Sequence, residues 1–353
     1  MTPPLALSSV FSFRALWAAA RRASRGQRMN ASVARYRLDL EGELLALQRA
    51  LFAETWRPSP TRRMLVRDPK PRLIAVPAFG DRVVHQCVAA VLEPRHERRA
   101  ITDSYACRRG FGTHAALRRA TAWSRAYRWW VRLDVRRFFP SVDHAIVRAQ
   151  MARDLPDVPL RVLCDRILAA GATRGGVYVP GDDLFAPTER LVGLPLGSLL
   201  SQLWANRYLD PVDHLVKDQL RHRAWLRYMD DMLLFHDDRA ALVEVARRVE
   251  DACHALRLRL HPWCPQPTAS GVGIVGFRVM RDHVRVRRSS VARAMRRLRW
   301  RMRGGEDLRT PAFRESLRAV FAHWEHADSW RLRERALHEL GLHVDDDIRR
   351  TEE

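Results

Sequence analysis

Apolar and polar positions follow two different periods along this chain. In residues 31–52, Leu40, Leu44, Leu47 and Leu51 recur at helical spacing and predict an amphipathic helix. Past the turn marked by Pro58 and Pro60, two short β-rich runs, 64–67 and 72–76, flank Asp68-Pro69-Lys70-Pro71 and predict a hairpin with a basic tip. Residues 83–92 predict a helix that Pro94 ends. Over residues 129–135 the period drops to two. Trp129, Val131 and Leu133 share a face that reads as buried, and Trp130, Arg132 and Asp134 share the opposite, working face.

Further along, Asp143 is placed to start a helix, Pro156 to Pro159 breaks the chain, and residues 175–187 read as a turn-rich hairpin insert. A long helix from about Leu199 is expected to be re-capped at Asp210-Pro211, where Asp suits an N-cap and Pro the first helical turn. Residues 226–235 predict a tight hairpin with two acids at its middle, and Asp238 caps a helix over 239–258. Residues 273–279 read as a strand, and from Arg285 the chain is helical and very basic. Residues 1–30 read as an arm, Pro-rich and then carrying Arg21, Arg22, Arg25 and Arg28. No internal repeat is visible.

Charge narrows the partners. Of 353 residues, 62 are Lys or Arg and 40 are Asp or Glu, a net charge of +22. Such a field attracts polyanions, nucleic acid first among them, although a ribosome-associated or membrane-surface protein would share the composition. Lysine occurs only at Lys70 and Lys217, so arginine carries the charge, as coding bias alone would also produce. With 47% hydrophobic residues the chain has material for a core. Its five cysteines are scattered without a CxxC pair, and no signal peptide is recognisable, which points to a reducing cytoplasm. The apolar stretch over 5–20 is interrupted by Arg14 and too short to span a membrane. Cys253, His254, His261 and Cys264 match no standard zinc spacing.

The candidate chemistry lies in three acids. Neighbours on a straight strand face opposite ways, but in a tight turn Asp230 and Asp231 can face the same side. If that turn lies beside the strand bearing Asp134, three carboxylates converge, and such a group needs cations to offset its mutual repulsion. Oxygen donors of this kind suit Mg²⁺, and a two-metal site supports nucleotidyl transfer. Singly, an acid of this kind is more often a solvated turn residue or a helix cap.

The surrounding motifs resemble those of reverse transcriptases. Tyr228-Met229-Asp230-Asp231 matches the family's polymerase box, and Leu133-Asp134-Val135-Arg136-Arg137-Phe138-Phe139-Pro140-Ser141 resembles its first catalytic block. Residues 193–202, GLPLGSLLSQ, are similar to its nucleotide-facing loop and helix, and residues 70–77, KPRLIAVP, to its fingers strand. Gly276-Phe277 and neighbours sit where a primer-grip hairpin would lie. These blocks stand in the family order over residues 60–285. Residues 105–114, YACRRGFGTH, are similar to bacterial group II intron, retron and diversity-generating retroelement enzymes. Leu196, Ser201-Gln202 and the run 204–209 (WANRYL) look like the diversity-generating branch.

The resemblance implies an α+β, right-hand polymerase architecture: a basic N-terminal arm at 1–30, fingers at 31–125, a palm with an antiparallel sheet at 126–284 and a helical, basic thumb at 285–353. It implies RNA-directed DNA polymerase activity with two Mg²⁺ ions, or Mn²⁺ in their place, held by Asp134, the Val135 carbonyl, Asp230 and the supporting Asp231. Lys70, Arg72, Phe139, Leu196, Gly197, Ser201 and Gln202 would meet the nucleotide, with Phe139 excluding a ribose 2′-hydroxyl, although Phe139 could equally be core. Arg293, Arg296, Arg297 and Arg301 would grip nucleic acid, while Trp300 and Trp324 read as core of that helical unit. Implied partners are an RNA template, a DNA or RNA primer, dNTPs and a small basic accessory protein, with no membrane. A phage-defence, intron or retron-type enzyme, a catalytically silent RNA-binding scaffold and an RNA-dependent RNA polymerase are the rival readings.

Overall fold

The structure is a computed structural model that describes residues 6–25, 31–66, 71–178, 182–304 and 310–342. The chain opens with α1 (Leu7–Val10) and α2 (Phe13–Ser24), the latter capped by the Ser12 hydroxyl accepting from the Ala15 N–H. The described part of the expected arm is therefore folded. Phe11 and Leu16 are fully buried, and Ala19, Ala20 and Ala23 make a small-residue stripe that lets another helix approach closely. The single helix predicted over 31–52 is two, α3 (Ala31–Leu38) and α4 (Leu40–Phe52). The break is Asp39, whose carboxylate accepts the Gly42 N–H at 3.1 Å and starts a new helix. The predicted hairpin forms from β1 (Arg62–Val66) and β2 (Arg72–Val76), and its tip, Lys70 included, lies outside the described residues.

Pro94 does not end the next helix: α5 (Phe79–Arg99) runs through it. A proline forfeits one helical hydrogen bond. Here the cost is offset by burial of Val83, Val84, Val88 and Leu92 along a helix that also packs against α2. After α6 (Thr113–Ala126) comes β3 (Trp129–Asp134), a short turn of helix α7 (Phe138–Ser141), and α8 (His144–Asp154), which Asp143 caps as expected. Past α9 (Val158–Ala169), β4 (Thr173–Arg174) and β5 (Leu191–Val192) pair to close the insert around α10 (Ala186–Glu189).

The helix α11 (Leu199–His214) passes straight through Asp210-Pro211. Asp210 is no cap: it is buried and paired with Arg207 at 3.1 Å. Next come β6 (Trp225–Tyr228), β7 (Asp231–His236), α12 (Arg239–Ala255, capped by Asp238) and β8 (Gln266–Pro267). The strand expected at 273–279 is a hairpin, β9 (Val272–Ile274) and β10 (Phe277–Val279). Its turn residues Val275 and Gly276 both have positive φ, the signature of a two-residue turn. With β11 (Val284–Val286) it makes a three-stranded sheet, and α13 (Arg288–Arg303), α14 (Pro311–Trp324) and α15 (Trp330–Glu339) end the described chain.

The central sheet has strand order β6-β7-β3-β8, antiparallel throughout. One face, through Val131, Leu133, Met232 and Leu234, joins the main core with α5, α8, α11 and α12. The other face is also buried over most of its length, contrary to the expectation of a single buried side. Trp130, Leu226, Leu233 and Phe235 pack there against α6 and the β9–β10 hairpin. Only near the β6–β7 turn does that cover end, leaving Arg132 and Asp134 half-buried. A third core, with Leu298, Phe313 and Trp324, holds α13 to α15 together. Trp300, expected in it, is 73% exposed on α13. Helices around an antiparallel sheet, followed by a helical C-terminal unit, make up the expected α+β right-hand arrangement.

One polar network ties these layers together. Arg227 on β6 and Asp213 on α11 are completely buried and joined at 2.6 Å. The Trp225 indole donates to the same carboxylate at 2.9 Å, and the Arg227 guanidinium also reaches the Asn206 side-chain oxygen at 3.0 Å and the Met229 carbonyl at 3.2 Å. Asn206 in turn donates to the Ala106 carbonyl at 2.9 Å. Removing one member strands a buried charge, so Arg227→Ala is expected to lower the unfolding free energy by about 3–5 kcal/mol in a urea titration. A loss under about 1 kcal/mol, the range of an exposed pair, would show that the network is not structural.

Candidate active site

The acids are brought together by strand register. Tyr228 pairs with Asp231, so Met229 and Asp230 form a two-residue turn, with Met229 at φ 58°. Arg227 holds the Met229 carbonyl from below, and the Tyr228 hydroxyl lies 3.2 Å from that of Thr113 at the start of α6. Across the sheet Asp134 stands opposite Asp231. The Asp134 carbonyl is taken by the His261 N–H at 2.8 Å on the far edge, so its pairing with Asp231 is the narrow, non-hydrogen-bonded kind, with Cα atoms about 4.5 Å apart. Both side chains then project from one face, and Asp230 sits beside them at the turn. The Arg136 N–H is likewise used on that far edge, by the Arg259 carbonyl. Alternation therefore directs the Val135 carbonyl towards the turn.

Crowding shows in the electrostatics. Burial pushes the Asp230 carboxyl up to about 6, aided by the charges of Asp231 and Asp134 and opposed by Arg72. Asp231 is raised by burial too, with Asp134 adding and Arg132 and Arg287 opposing. Arg132 forms an ion pair with Asp231. Partly buried carboxylates with too little counter-charge are a hard-oxygen donor set suited to Mg²⁺. Among the described residues no three His, Cys, Asp or Glu side chains are gathered into a preformed metal cage. The oxygens that could hold a metal are those of Asp134, Asp230, Asp231 and the Val135 backbone, with Asp231 also paired to Arg132.

The facing hairpin is fixed by close backbone contact. The Ala75 N–H of β2 donates to the Leu196 carbonyl at 2.8 Å. Gly197, at φ 104°, lies so close that a Cβ there would stand 2.7 Å from the Ala75 oxygen and from Ile74. The same loop is stitched to the segment after β3: Leu194 N–H to the Phe139 carbonyl, Gly193 N–H to that of Val142, both at 2.8 Å, and the His144 ring to the Gly193 carbonyl. This docking brings Arg72 within electrostatic reach of Asp230.

Of the other residues singled out from the sequence, Phe139 is half-buried, edge-on to the core residue Phe138 with ring centres 5.6 Å apart, and Leu196 is half-buried. Ser201 is buried, with its hydroxyl unpaired among the described residues. Gln202 is exposed and accepts from the Cys107 thiol at 3.5 Å, so no bond ties either residue to the acids. On α13, Arg296 and Arg297 are exposed and Arg293 is half-buried. The Arg301 guanidinium is turned onto α14, 5.8 Å from the Phe313 ring centre and bonded to Ser316. The sequence sets Arg132 on the working face with Asp134, but no role was assigned from it to Arg132, Arg227 or Arg287. The period of β3, which puts Arg132 beside Asp134, was the available signal. Among the described residues no helix is long and apolar enough to cross a membrane.

Comparison with known proteins adds a family. The one described as reverse transcriptase (RNA-dependent DNA polymerase) matches residues 66–276. Group II intron-encoded protein LtrA of Lactococcus lactis subsp. cremoris is 26% identical over 179 residues, 50% of this chain and 28% of that protein. Protein YkfC of Escherichia coli K12 is 24% identical over 184 residues, 50% of this chain and 46% of its own. The matched stretch thus takes up less than half of each relative. Among solved structures, the telomerase from Candida albicans in complex with a fragment of telomeric RNA is 8% identical at a TM-score of 0.48, covering 80% of this chain and 57% of that one.

Gly197→Ala tests the docking of the two segments. The added Cβ meets the β2 backbone and the positive φ is strained, a cost of about 1–3 kcal/mol. The expected result is a lower melting temperature and faster hydrogen exchange at the Ala75 amide. Unchanged protection of that amide would show the contact to be dispensable.

Proposed function

Because the chain belongs to the reverse transcriptase (RNA-dependent DNA polymerase) family, we propose that it copies an RNA template into DNA, extending a DNA or RNA primer with dNTPs. The observation that carries this reading is the register of β3 against β7, which sets Asp134 opposite Asp231 and close to Asp230 at the adjoining turn, with Arg72 in electrostatic reach of Asp230. Asp134, Asp230 and the Val135 carbonyl, with Asp231 as a supporting acid, would hold two Mg²⁺ ions. Bound there, the ions supply a more acidic primer 3′-hydroxyl and neutralisation of the leaving pyrophosphate. Arg72, a planar donor on the hairpin above the acids, binds the triphosphate oxygens and follows their charge as it grows on the leaving group. Phe139 would close the space that a ribose 2′-hydroxyl enters and so select deoxynucleotides, which argues against RNA synthesis. The exposed arginines of α13, with Arg293 and Arg301 beside them, would serve the template–primer backbone.

Replacing either metal-holding acid by its amide removes charge but keeps shape. Asp134→Asn and Asp230→Asn are each expected to abolish RNA-templated primer extension while leaving the fold intact by circular dichroism. Substantial extension by both variants would sink the assignment.

The relative named for a group II intron, LtrA, supports an intron-type enzyme as the general class. Within it, Leu196 and Ser201-Gln202 favour a diversity-generating role, in which a small basic accessory protein would join the complex. Leu196 offers the incoming nucleotide shape and apolar contact but no side-chain hydrogen bond. Hydrogen-bonded selection reaches roughly four or five decades, against about one or two for apolar fit. This enzyme should therefore copy with reduced fidelity, and Leu196→Gln should lower the error rate. Sequencing cDNA made on a defined template by both proteins measures it. Equal, low error rates at every base would refute the role given to Leu196.

A further inference from the structure

Three histidines from distant parts of the chain meet where the C-terminal helices join the rest of the protein. Helices α13 to α15 have a core of their own and attach through β11, which pairs with β10, and through Val286, which packs into both cores. The Asp328 N–H donates to the Val284 carbonyl at 2.9 Å, and the Val284 N–H returns a bond to the Asp328 carboxylate at 2.7 Å. The Arg287 N–H donates to the Gly276 carbonyl in the β9–β10 turn at 2.9 Å. Beside this seam His114, at the start of α6, stacks on His326, just past the end of α14, with ring centres 3.5 Å apart and planes 31° from parallel. His323, in the last turn of α14, has its ring centre 4.6 Å from that of Phe277 on β10. Its Nε2 comes so near the β9–β10 turn that a Cβ on Gly276 would lie 3.5 Å away.

The surroundings of these rings do not favour charge on them. Burial, then His326 and Arg118 on α6, hold His114 below its ordinary range. Burial, then His114 and His326, do the same to His323. The positive N-terminal end of α6 also opposes a proton on His114, while the C-terminal end of α14 favours one on His323. Neighbouring acids are already engaged: Glu325 accepts from Arg333 at 2.7 Å, and Asp328 holds the Val284 amide. On the hairpin side stand Gly276, Phe277, the neutral Ser290 hydroxyl of α13 and the cation Arg287. Among the described residues no carboxylate acts on His114 or His323 to offset a charge. Nor are three His, Cys, Asp or Glu side chains arranged there to hold a metal ion, so the trio is a stack and not a ligand set.

We propose that His114, His323 and His326 form a pH-sensitive joint that holds the C-terminal helical unit against α6 and the β9–β10 turn. Neutral rings can stack and share the seam, whereas two protonated rings in contact repel and part. A histidine outside such a joint takes up its proton at about pH 6.5, and one kept neutral within it does so only at lower pH. The parted state therefore binds more protons than the joined one. The joint is at full strength above about pH 6.5 and weakens as the pH falls below it. The unit it releases carries Arg296 and Arg297, exposed on α13, so acid loosens the placement of those cations relative to the sheet. The joint does not depend on the polymerase reading.

Amide hydrogen exchange of the full chain, corrected for the intrinsic effect of pH, reads the seam directly. The Arg287 and Asp328 amides, which bond across it, are compared with Leu234 in the central sheet and Val320 within α14. From about pH 7.5 to about 5.5 the two seam amides should lose protection, by up to roughly tenfold per pH unit below about 6.5 for each histidine kept neutral, while Leu234 and Val320 keep theirs. His114→Gln combined with His326→Gln removes the facing charges and should flatten most of that loss. His326→Lys, a fixed cation, should lower seam protection already at about pH 7.5 and tests the joint even if the double variant folds poorly. The proposal is overturned if seam protection is independent of pH, or if it falls only together with that of Leu234. It is equally overturned if the folded double variant keeps the wild-type pH dependence, or if His326→Lys protects the seam as the wild type does.

Discussion

The buried ion pair between Arg227 and Asp213 is the constraint on which the site depends. Both groups are fully removed from solvent, which is tolerable only because the remaining donors and acceptors are met by Trp225, Asn206 and the Met229 carbonyl. The arrangement fixes more than stability. Met229 is held at positive φ, a conformation that costs a non-glycine residue energy, and its carbonyl is bonded directly by Arg227. The turn that places Asp230 beside Asp231 is therefore locked from beneath by a network reaching α11 and, through Asn206, the 103–106 segment. That segment also pairs with β6, the Arg227 N–H donating to the Asp103 carbonyl and the Tyr105 N–H to that of Arg227.

A second constraint acts from above. The β1–β2 hairpin is largely exposed and shares little core with the sheet, so its position comes from contact between its backbone and the 193–197 loop. Gly197 permits that contact by having no side chain, and its positive φ gives the loop the bend it needs. Because the loop is also bonded to residues 139–144, any shift of β2 is transmitted to the segment that follows Asp134. Arg72, Leu196 and Phe139, widely separated in sequence, thus form one mechanical unit around the acids.

The central hairpin, the strand bearing Asp134 and the helix caps at Asp143 and Asp238 were legible in the sequence because each depends on local signals, a period of two or a side chain bonding its own backbone. Helix continuity was not. Pro94 reads as a stop and Asp210-Pro211 as a fresh start, yet both prolines lie inside helices, since burial along α5 and α11 outweighs one missing hydrogen bond. The folded N-terminal segment was missed because a stripe of alanines carries little hydrophobic signal while its partner lies some 70 residues away. Among site residues the three acids were readable as a motif. Asp213 and Asn206 were not, because they sit on a helix with no pattern announcing that an arginine 14 or more residues later would need them.

The distribution of charge completes the physical picture. In a chain of net +22, carboxylates crowded on one sheet face stand out, yet they are not left to themselves. Arg72 comes from a separate hairpin, Arg132 from the same strand and Arg287 from the junction with the C-terminal helices, so three different parts of the chain each lend a cation. Complete neutralisation would leave no attraction for metal ions, and complete isolation would protonate the acids, as the upward shift of Asp230 already indicates. The site sits between these limits. At the turn, burial and like charge hold the Asp230 carboxyl above its ordinary range, while Arg132 pairs with Asp231 and offsets part of that repulsion.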